Sequence, residues 1–124
     1  MPCRHILLIE DEPDLRETLK DLLELMGFEV ETAANGREGL VNLETKGPPC
    51  LIMLDLMMPV MNGWQFLDAL SKQPLHGNPA IPVIVVSAAV DMVEIQAQYG
   101  CRSLNKPVDI DKLLGMAHEH CESC

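Results

Sequence analysis

Short apolar runs alternate with longer amphipathic segments along most of the chain. Residues 6–9, 50–54 and 82–86 are apolar throughout, which is typical of parallel strands buried on both faces. Residues 28–32 alternate apolar and polar side chains and predict a more exposed strand, and 101–104 predict a short one. The pattern therefore predicts five β-strands separated by helices.

The segments between these runs carry apolar residues at spacings of three and four, which predict amphipathic helices. Each predicted helix but the last begins at a proline or at a side chain that can cap a first turn. These residues are Pro13, Asn35, Asn62 and Asp91. Gly27 and the glycine and prolines at 47–49 are expected to end the first two helices. The fourth helix is predicted over 91–99, and a fifth follows 106–107 and extends to about Ala117.

Strands and helices of these lengths, in alternation, predict an α/β fold in which helices cover both faces of a parallel sheet. The length of 124 residues fits a single domain. Ligands of such folds bind at the carboxyl ends of the strands, where the strand order reverses. Functional side chains are therefore expected directly after the strands.

Polar side chains do follow four of the predicted strands, and they are Glu10 with Asp11, Asp55, Ser87 and Lys106. In a parallel sheet these positions share one edge, so we expect them to converge on a shallow pocket. Two carboxylates about 4 Å apart repel by roughly 4 kcal/mol at an effective dielectric near 20, and a cation among them relieves this repulsion. Mg²⁺ fits, with Mn²⁺ as an alternative, because it accepts one or two carboxylates and keeps water and phosphate in its shell.

This set of residue types favours transfer of a phosphoryl group to a carboxylate. Asp55 is the expected nucleophile, since an aspartate attacks phosphorus when a cation neutralises the phosphoryl oxygens. The Lys106 ammonium and the Ser87 hydroxyl would each bind a phosphoryl oxygen. The small side chain of Ala88 would leave room for the donor.

Four motifs in order resemble one known family. Residues 6–14 consist of an apolar strand followed directly by an acid pair and the start of the next helix. Residues 54–63 read Leu-Asp-Leu-Met-Met-Pro-Val-Met-Asn-Gly. Val-Ser-Ala at 86–88 and Lys-Pro at 106–107 follow at matching spacings. Over about 4–117, the chain resembles the receiver domain of response regulators in two-component signalling.

The resemblance implies a doubly wound, five-stranded parallel sheet with the flavodoxin-like order 2-1-3-4-5 and helices on both faces. It implies one receiver domain over 1–124, with a core of about 4–117 and a frayed tail at 118–124. Asp55 would be the phosphorylation site, and Ser87 and Lys106 would bind the phosphoryl group. The implied metal ligands are Asp11, Asp55, the Met57 backbone carbonyl and, through water, Glu10.

A sensor histidine kinase or a histidine phosphotransfer protein would supply the phosphoryl group. Phosphorylation would shift a two-state equilibrium and change the surface of the fourth helix, fifth strand and fifth helix, which a downstream protein partner would read. The chain would then be a switch with at most slow autodephosphorylation, not an enzyme that turns over a substrate.

The overall composition limits which binding partners and which cellular compartment we expect. A net charge of −10 disfavours direct binding of nucleic acid. No apolar run approaches the ~20 residues of a membrane helix, and the N-terminus lacks a signal-peptide pattern, so we expect no membrane partner and a cytoplasmic location. The odd count of five cysteines argues against a disulfide framework, and Cys50 is expected to act as a small apolar side chain.

The chain departs from the family pattern in three ways, which involve four positions. Glu10 replaces the commoner aspartate and adds a methylene to the metal site. Ser103 stands where the family usually has the aromatic residue that turns inward on phosphorylation. Met57 and Ala89 cannot orient an attacking water by hydrogen bonding, which leads to the hypothesis of a long-lived acyl phosphate.

Other readings of the sequence remain open. The chain could be a receiver fragment of a larger regulator or hybrid kinase, or a docking module that works without phosphorylation, which Ser103 favours. A hydrolase of the haloacid dehalogenase type is disfavoured, because Met57 occupies the place of that family's second aspartate. His118, His120 and nearby cysteines could bind Zn²⁺ but lack a fixed framework.

Overall fold

The fold is that of a computed structural model, and it consists of a parallel β-sheet flanked by helices. The structure describes residues 5–47, 49–72, 81–87, 102–106 and 108–122. The strands are β1 (His5–Ile9), β2 (Glu29–Ala33), β3 (Leu51–Leu54), β4 (Val83–Ser87) and β5 (Arg102–Asn105). They form one sheet in the order β2-β1-β3-β4-β5, and all the pairs are parallel. The predicted fold class and strand order are confirmed.

Four helices connect or follow these strands in the described part of the chain. They are α1 (Pro13–Leu25), α2 (Gly36–Lys46), α3 (Gly63–Lys72) and α4 (Ile110–Glu122). The helix predicted over 91–99 lies outside the described residues. Among the described helices, none is both long and apolar enough to cross a membrane.

The last helix is longer than its apolar pattern predicts. α4 continues past Ala117 to Glu122, and the frayed tail expected over 118–124 stays a prediction. One reason for the greater length is a tertiary contact, because the ring of His118 lies edge-on to that of Phe28 with their centroids 5.4 Å apart. Packing of this kind stabilises a helix end that local propensity alone would leave frayed.

The core fills both faces of the sheet, because alternate side chains of each central strand point to opposite sides. Leu7 and Ile9 of β1 pack on one side with Phe66 of α3. Ile6 and Leu8 pack on the other side in the cluster that contains helix residues of α1 and α4. All four residues of β3 are fully buried, as a central parallel strand should be.

The second strand begins one residue later than the sequence pattern predicts. The Phe28 amide donates to the Leu23 carbonyl at 3.1 Å and the Gly27 amide to the Glu24 carbonyl at 3.0 Å, which closes α1. Gly27 has a positive φ of 96°, the backbone conformation that this ending requires. The start of β2 is therefore set by the end of the helix before it.

Two asparagines cap helices as predicted. The Asn35 Oδ1 accepts from the Glu38 amide at 2.9 Å. The Asn62 Oδ1 accepts from the Gln65 amide at 2.9 Å, and the Gln65 Oε1 accepts in return from the Asn62 amide. Such reciprocal caps satisfy backbone donors at a helix start, and here they fix the loops that enter α2 and α3.

Cys50 does not behave as the sequence led us to expect. It stands just before β3, where its amide donates to the His5 carbonyl at 2.8 Å, and its sulfur is disulfide-bonded to a partner outside the described side chains. The expectation of a simple apolar thiol is therefore wrong. An odd number of cysteines excludes the pairing of all of them, but it does not exclude a single disulfide bond.

Candidate functional site

Two acids meet because they follow neighbouring strands. β1 and β3 pair in parallel register, with Ile9 opposite Leu54. The Asp55 amide continues this pairing by donating to the Ile9 carbonyl at 3.0 Å, and the Glu10 amide donates to the Ala33 carbonyl of β2 at 3.0 Å. Glu10 and Asp55 therefore leave the sheet side by side at its carboxyl edge, at the point where the strand order reverses.

A third carboxylate completes the cluster. Single carboxylate oxygens of Glu10, Asp11 and Asp55 all lie within 4.8 Å of one another. Glu10 is 2% and Asp55 3% exposed, whereas Asp11 is half-buried. The convergence that the sequence predicted for these three acids is thus present in the structure.

Lys106 reaches the same cluster from the other half of the sheet. It follows β5, which is separated from β3 by β4. Its Nζ lies 2.9 Å from the Glu10 Oε1 and 3.3 Å from the Asp55 Oδ2. The ammonium therefore bridges two buried carboxylates, a contact made by residues far apart in the sequence.

Burial and charge alter the acid–base behaviour of this group. Desolvation raises the pKa of Glu10 from its ordinary value of 4.5 to about 7, although hydrogen bonds from Lys106 and the Glu12 amide act in the opposite direction. Burial by itself would lower the pKa of Lys106, but its hydrogen bond to Glu10 and the nearby negative charges outweigh burial and raise it. The pKa of each group therefore depends on the charge of the other.

The donor set suits a hard divalent cation. If all three acids are ionised, their charge of −3 against the single ammonium of Lys106 leaves −2 in a largely buried cluster. Oxygen ligands with this charge are those that Mg²⁺ binds in proteins. The residues present therefore fit the metal that the sequence led us to expect.

The loop after Asp55 positions both its carboxylate and its backbone. The Met57 amide donates to the Asp55 Oδ1 at 3.1 Å, and the Gly63 amide donates to the Leu56 carbonyl at 3.0 Å. A Cβ at Gly63 would lie 2.6 Å from the Leu56 Cα and 2.7 Å from the Asp55 carbonyl oxygen. Glycine is therefore required for α3 to approach the acid this closely.

A tight turn in the same loop projects apolar side chains into solvent. The Met61 amide donates to the Pro59 carbonyl at 2.7 Å across Val60, whose φ is +67°. This is a γ-turn of the strained kind, and it is unusual for a β-branched residue. Met57 and Val60 are 57% and 73% exposed beside the acid cluster.

The other predicted site residues are only partly described. Ser87 ends β4 opposite Asn105 of β5, at the expected edge, but its side chain lies outside the described part of the structure, as does Ala89. Ser103 lies within β5, half-buried and paired in register with Val85. The backbone thus brings Ser87 to the predicted edge, while its proposed contact stays a prediction.

Sequence reasoning missed Arg16. Its Nη1 donates to the Glu10 carbonyl at 3.0 Å, while the Glu12 amide donates to the Glu10 Oε2 at 3.2 Å. Arg16 lies near the start of α1, from which a long side chain can reach back over the preceding loop. An arginine a few residues after an acid pair is the signal from which this contact could have been predicted.

The comparisons with known proteins agree with this fold. The family model described as "Response regulator receiver domain" matches residues 6–118. The chain belongs to the response regulator receiver domain family. Receiver domains are the signalling switches of two-component systems, and the resemblance seen in the sequence is thereby confirmed.

Curated relatives and solved structures support the same assignment. Response regulator Rre1 of Synechocystis sp. is 38% identical over 112 residues, 87% of this chain. The transcriptional regulatory protein CpxR homolog of Haemophilus influenzae is 35% identical over 111 residues, 90% of this chain. The receiver domain of the Francisella response regulator 1452 matches with a TM-score of 0.83 at 27% identity, covering 99% of this chain and 98% of that one.

One structural relative is the receiver domain of a signal transduction histidine kinase from Syntrophus aciditrophicus. It has a TM-score of 0.81 and 31% identity and covers 96% of this chain and 90% of that one. The curated relatives are longer, since this chain spans 47% of Rre1 and 38% of the CpxR homolog. Receiver domains of this family are thus found in proteins of different organisation.

Proposed function

We propose that this receiver domain accepts a phosphoryl group on the carboxylate of Asp55 from a phosphohistidine donor. The observation that carries the proposal is the position of this carboxylate, which is 3% exposed and held by the Met57 amide and the Lys106 ammonium. An aspartate held in this way, among further acids that fit Mg²⁺, is oriented for attack on phosphorus. The donor would be a sensor histidine kinase or a histidine phosphotransfer protein.

The phosphoryl group would pass directly from the donor imidazole to Asp55. An Asp55 oxygen forms the bond to phosphorus as the bond between phosphorus and the donor imidazole nitrogen breaks. The electron pair of that bond stays on the imidazole nitrogen, which takes up a proton from water. Lys106 would bind one oxygen of the transferred group, and the Ser87 hydroxyl would donate to another.

The chain's own residues would hold the divalent cation. Asp11, Asp55 and the Met57 backbone carbonyl would be direct ligands of Mg²⁺ or Mn²⁺, with Glu10 acting through water. When bound, the cation would supply charge neutralisation for the phosphoryl oxygens. The buried, net negative cluster supports this assignment.

Phosphorylation would act on a partner surface formed by the predicted helix at 91–99, β5 and α4. We propose that the output is a protein partner and that this domain itself contacts neither nucleic acid nor membrane, since its net charge is −10. We further propose that residues 1–124 form one receiver domain that acts in the cytoplasm. The same domain could be one part of a longer regulator or hybrid kinase, as the length of its relatives allows.

The test is intact-mass analysis after incubation with acetyl phosphate and Mg²⁺. We expect the mass of one phosphoryl group to be added to the native protein and to Asp68→Asn, a control acid on the exposed face of α3. Asp55→Asn and an EDTA-treated sample should show no addition. Addition to Asp55→Asn at the native level would overturn the assignment.

The lifetime of the phosphorylated state tests a finer proposal. The Met57 side chain is 57% exposed beside Asp55 and cannot orient a water molecule for hydrolysis. Autodephosphorylation should therefore be slow, and Met57→Asn should shorten the lifetime by about tenfold if an added amide orients water. Val60→Asn, on the same loop, is the control; an equal effect of both changes, or none of either, would contradict this role.

A second function is favoured by one observation, which is Ser103 within β5 in place of an aromatic residue. A receiver without that side chain could bind its partner independently of phosphorylation. Equal affinity of an isolated partner for the phosphorylated protein and for Asp55→Asn would favour this function.

A further inference from the structure

Within the described part of the chain, the outer edge of the sheet has backbone groups with which no strand pairs. β2 is the outermost strand of the sheet, and among the described strands only β1 pairs with it. The Ala33 carbonyl points towards β1, because it accepts from the Glu10 amide. Backbone groups alternate sides along a strand, so those of Val30 and Thr32 point away from β1. This side of β2 is therefore a template on which another strand can pair.

Two concavities follow this edge. The first, of about 510 Å³, is lined by Phe28, Glu29, Val30 and Glu31, together with the end of α1. The second, of about 390 Å³, continues from Thr32 along the outer side of α2. The pairing edge thus lies between two hollows in which side chains of an added strand could lie.

The charges along the edge define the partner. Glu24, Glu29 and Glu31 line the first concavity together with His5 and Lys46, so the carboxylates outnumber the basic groups. A positively charged segment would be attracted, and a second copy of this acidic chain would be repelled. The edge therefore discriminates by the sign of the charge.

The second concavity adds an apolar surface. Val41 at its wall is 52% exposed, and the charged side chains that line the hollow, Arg37 and Glu38, are one of each sign. A partner segment with apolar side chains would match this part of the edge, while the preference for a charge comes from the first concavity.

We propose that the β2 edge binds an extended lysine- or arginine-rich segment of a partner protein, which adds as a further strand beside Val30 and Thr32. Main-chain hydrogen bonds would contribute affinity, and Glu29 and Glu31 would select the charge. The edge is separate from the Asp55 cluster, so the proposal does not depend on phosphorylation.

A direct test uses peptides of about seven residues, the length of a strand, and backbone NMR spectra of the native protein. The probe is a blocked peptide of alternating lysine and valine. One control alternates glutamate and valine, and another carries N-methyl groups on alternate amides and cannot pair along the edge. Of the three peptides, we expect only the lysine–valine probe to shift the Val30 and Thr32 amide signals and to slow their hydrogen exchange.

Charge reversal locates the binding. We expect Glu29→Lys to weaken binding of the lysine–valine peptide by about fivefold, since it replaces an attraction with a repulsion. Glu17→Lys, an equal charge change on the exposed surface of α1, should alter it by less than about twofold.

The proposal is overturned if the N-methylated peptide binds as tightly as the probe, because pairing along the edge is then not used. It is also overturned if the shifted amides lie around Asp55 and not in β2. Concentration-dependent dimers that protect Val30 without peptide would mean that a second copy occupies the edge, which also overturns it.

Discussion

Glutamates at two edges of the same sheet lie in opposite environments. Glu10, after β1, is 2% exposed and contacts Lys106 and the Glu12 amide. Glu29, on the outer strand β2, is exposed. A buried carboxylate is destabilising unless partners compensate it, whereas an exposed one costs little. The comparison shows that the first acid is held by partners inside the protein, whereas the second presents its charge to solvent.

The largest expected effect comes from removing the ammonium that compensates the buried acids. Above the pKa of Glu10, Lys106→Met should lower the free energy of unfolding by about 3 kcal/mol, because two carboxylates lose their shared partner. Urea denaturation measures this, and added Mg²⁺ should restore part of the loss. Lys72→Met, which breaks an exposed pair with Asp68, should cost less than about 0.5 kcal/mol. Similar losses in both variants would mean that burial of the acids does not determine the size of the effect.

The next effect is a dependence of stability on pH in the metal-free protein. The folded state holds the Glu10 proton up to a pKa of about 7, whereas the ordinary value is 4.5. The stability linked to this proton is therefore fully present below the lower value and is lost as the pH rises through the higher one. The loss should be on the order of 2 kcal/mol, and Glu10→Gln should flatten this part of the pH profile. An unchanged profile in Glu10→Gln would assign the titration to another group.

A smaller effect is expected at the arginine that supports the acid turn. Arg16→Met removes a charged donor from the Glu10 carbonyl and should cost about 1–2 kcal/mol in the free energy of unfolding. It should also weaken Mg²⁺ binding, measured by calorimetry, and Arg16→Lys should recover part of both losses. Arg37→Met, on the exposed surface of α2, is the matched control and should change neither quantity.

The smallest effect is expected at the outer edge. Glu31→Gln should change the free energy of unfolding by less than about 0.5 kcal/mol and leave the slope with pH intact. Denaturation at several pH values checks this. A large loss in the free energy of unfolding would mean that the acids of β2 stabilise the fold. The contrast with the buried Glu10 would then be smaller than we infer.

Much of the fold was predictable because it depends on local patterns. Apolar runs predicted the strands of the sheet, and Asn35 and Asn62 cap helices as their side chains favour. The start of β2 was displaced by one residue because the Phe28 amide closes α1, a contact that hydrophobic alternation does not encode. The extension of α4 beyond Ala117 and the disulfide at Cys50 likewise depend on neighbours distant in sequence.

The candidate site also has features that the sequence predicts and features that depend on contacts between distant segments. The sequence by itself determined which acids follow which strands, and parallel pairing then places Glu10 and Asp55 at one edge. Only the tertiary structure decided that Lys106 bridges both carboxylates, that Arg16 holds the turn, and that Glu10 is buried while Glu29 is exposed. The physical reason is that local patterning determines which segments form strands and which residues follow them, whereas distances and burial depend on how distant segments pack.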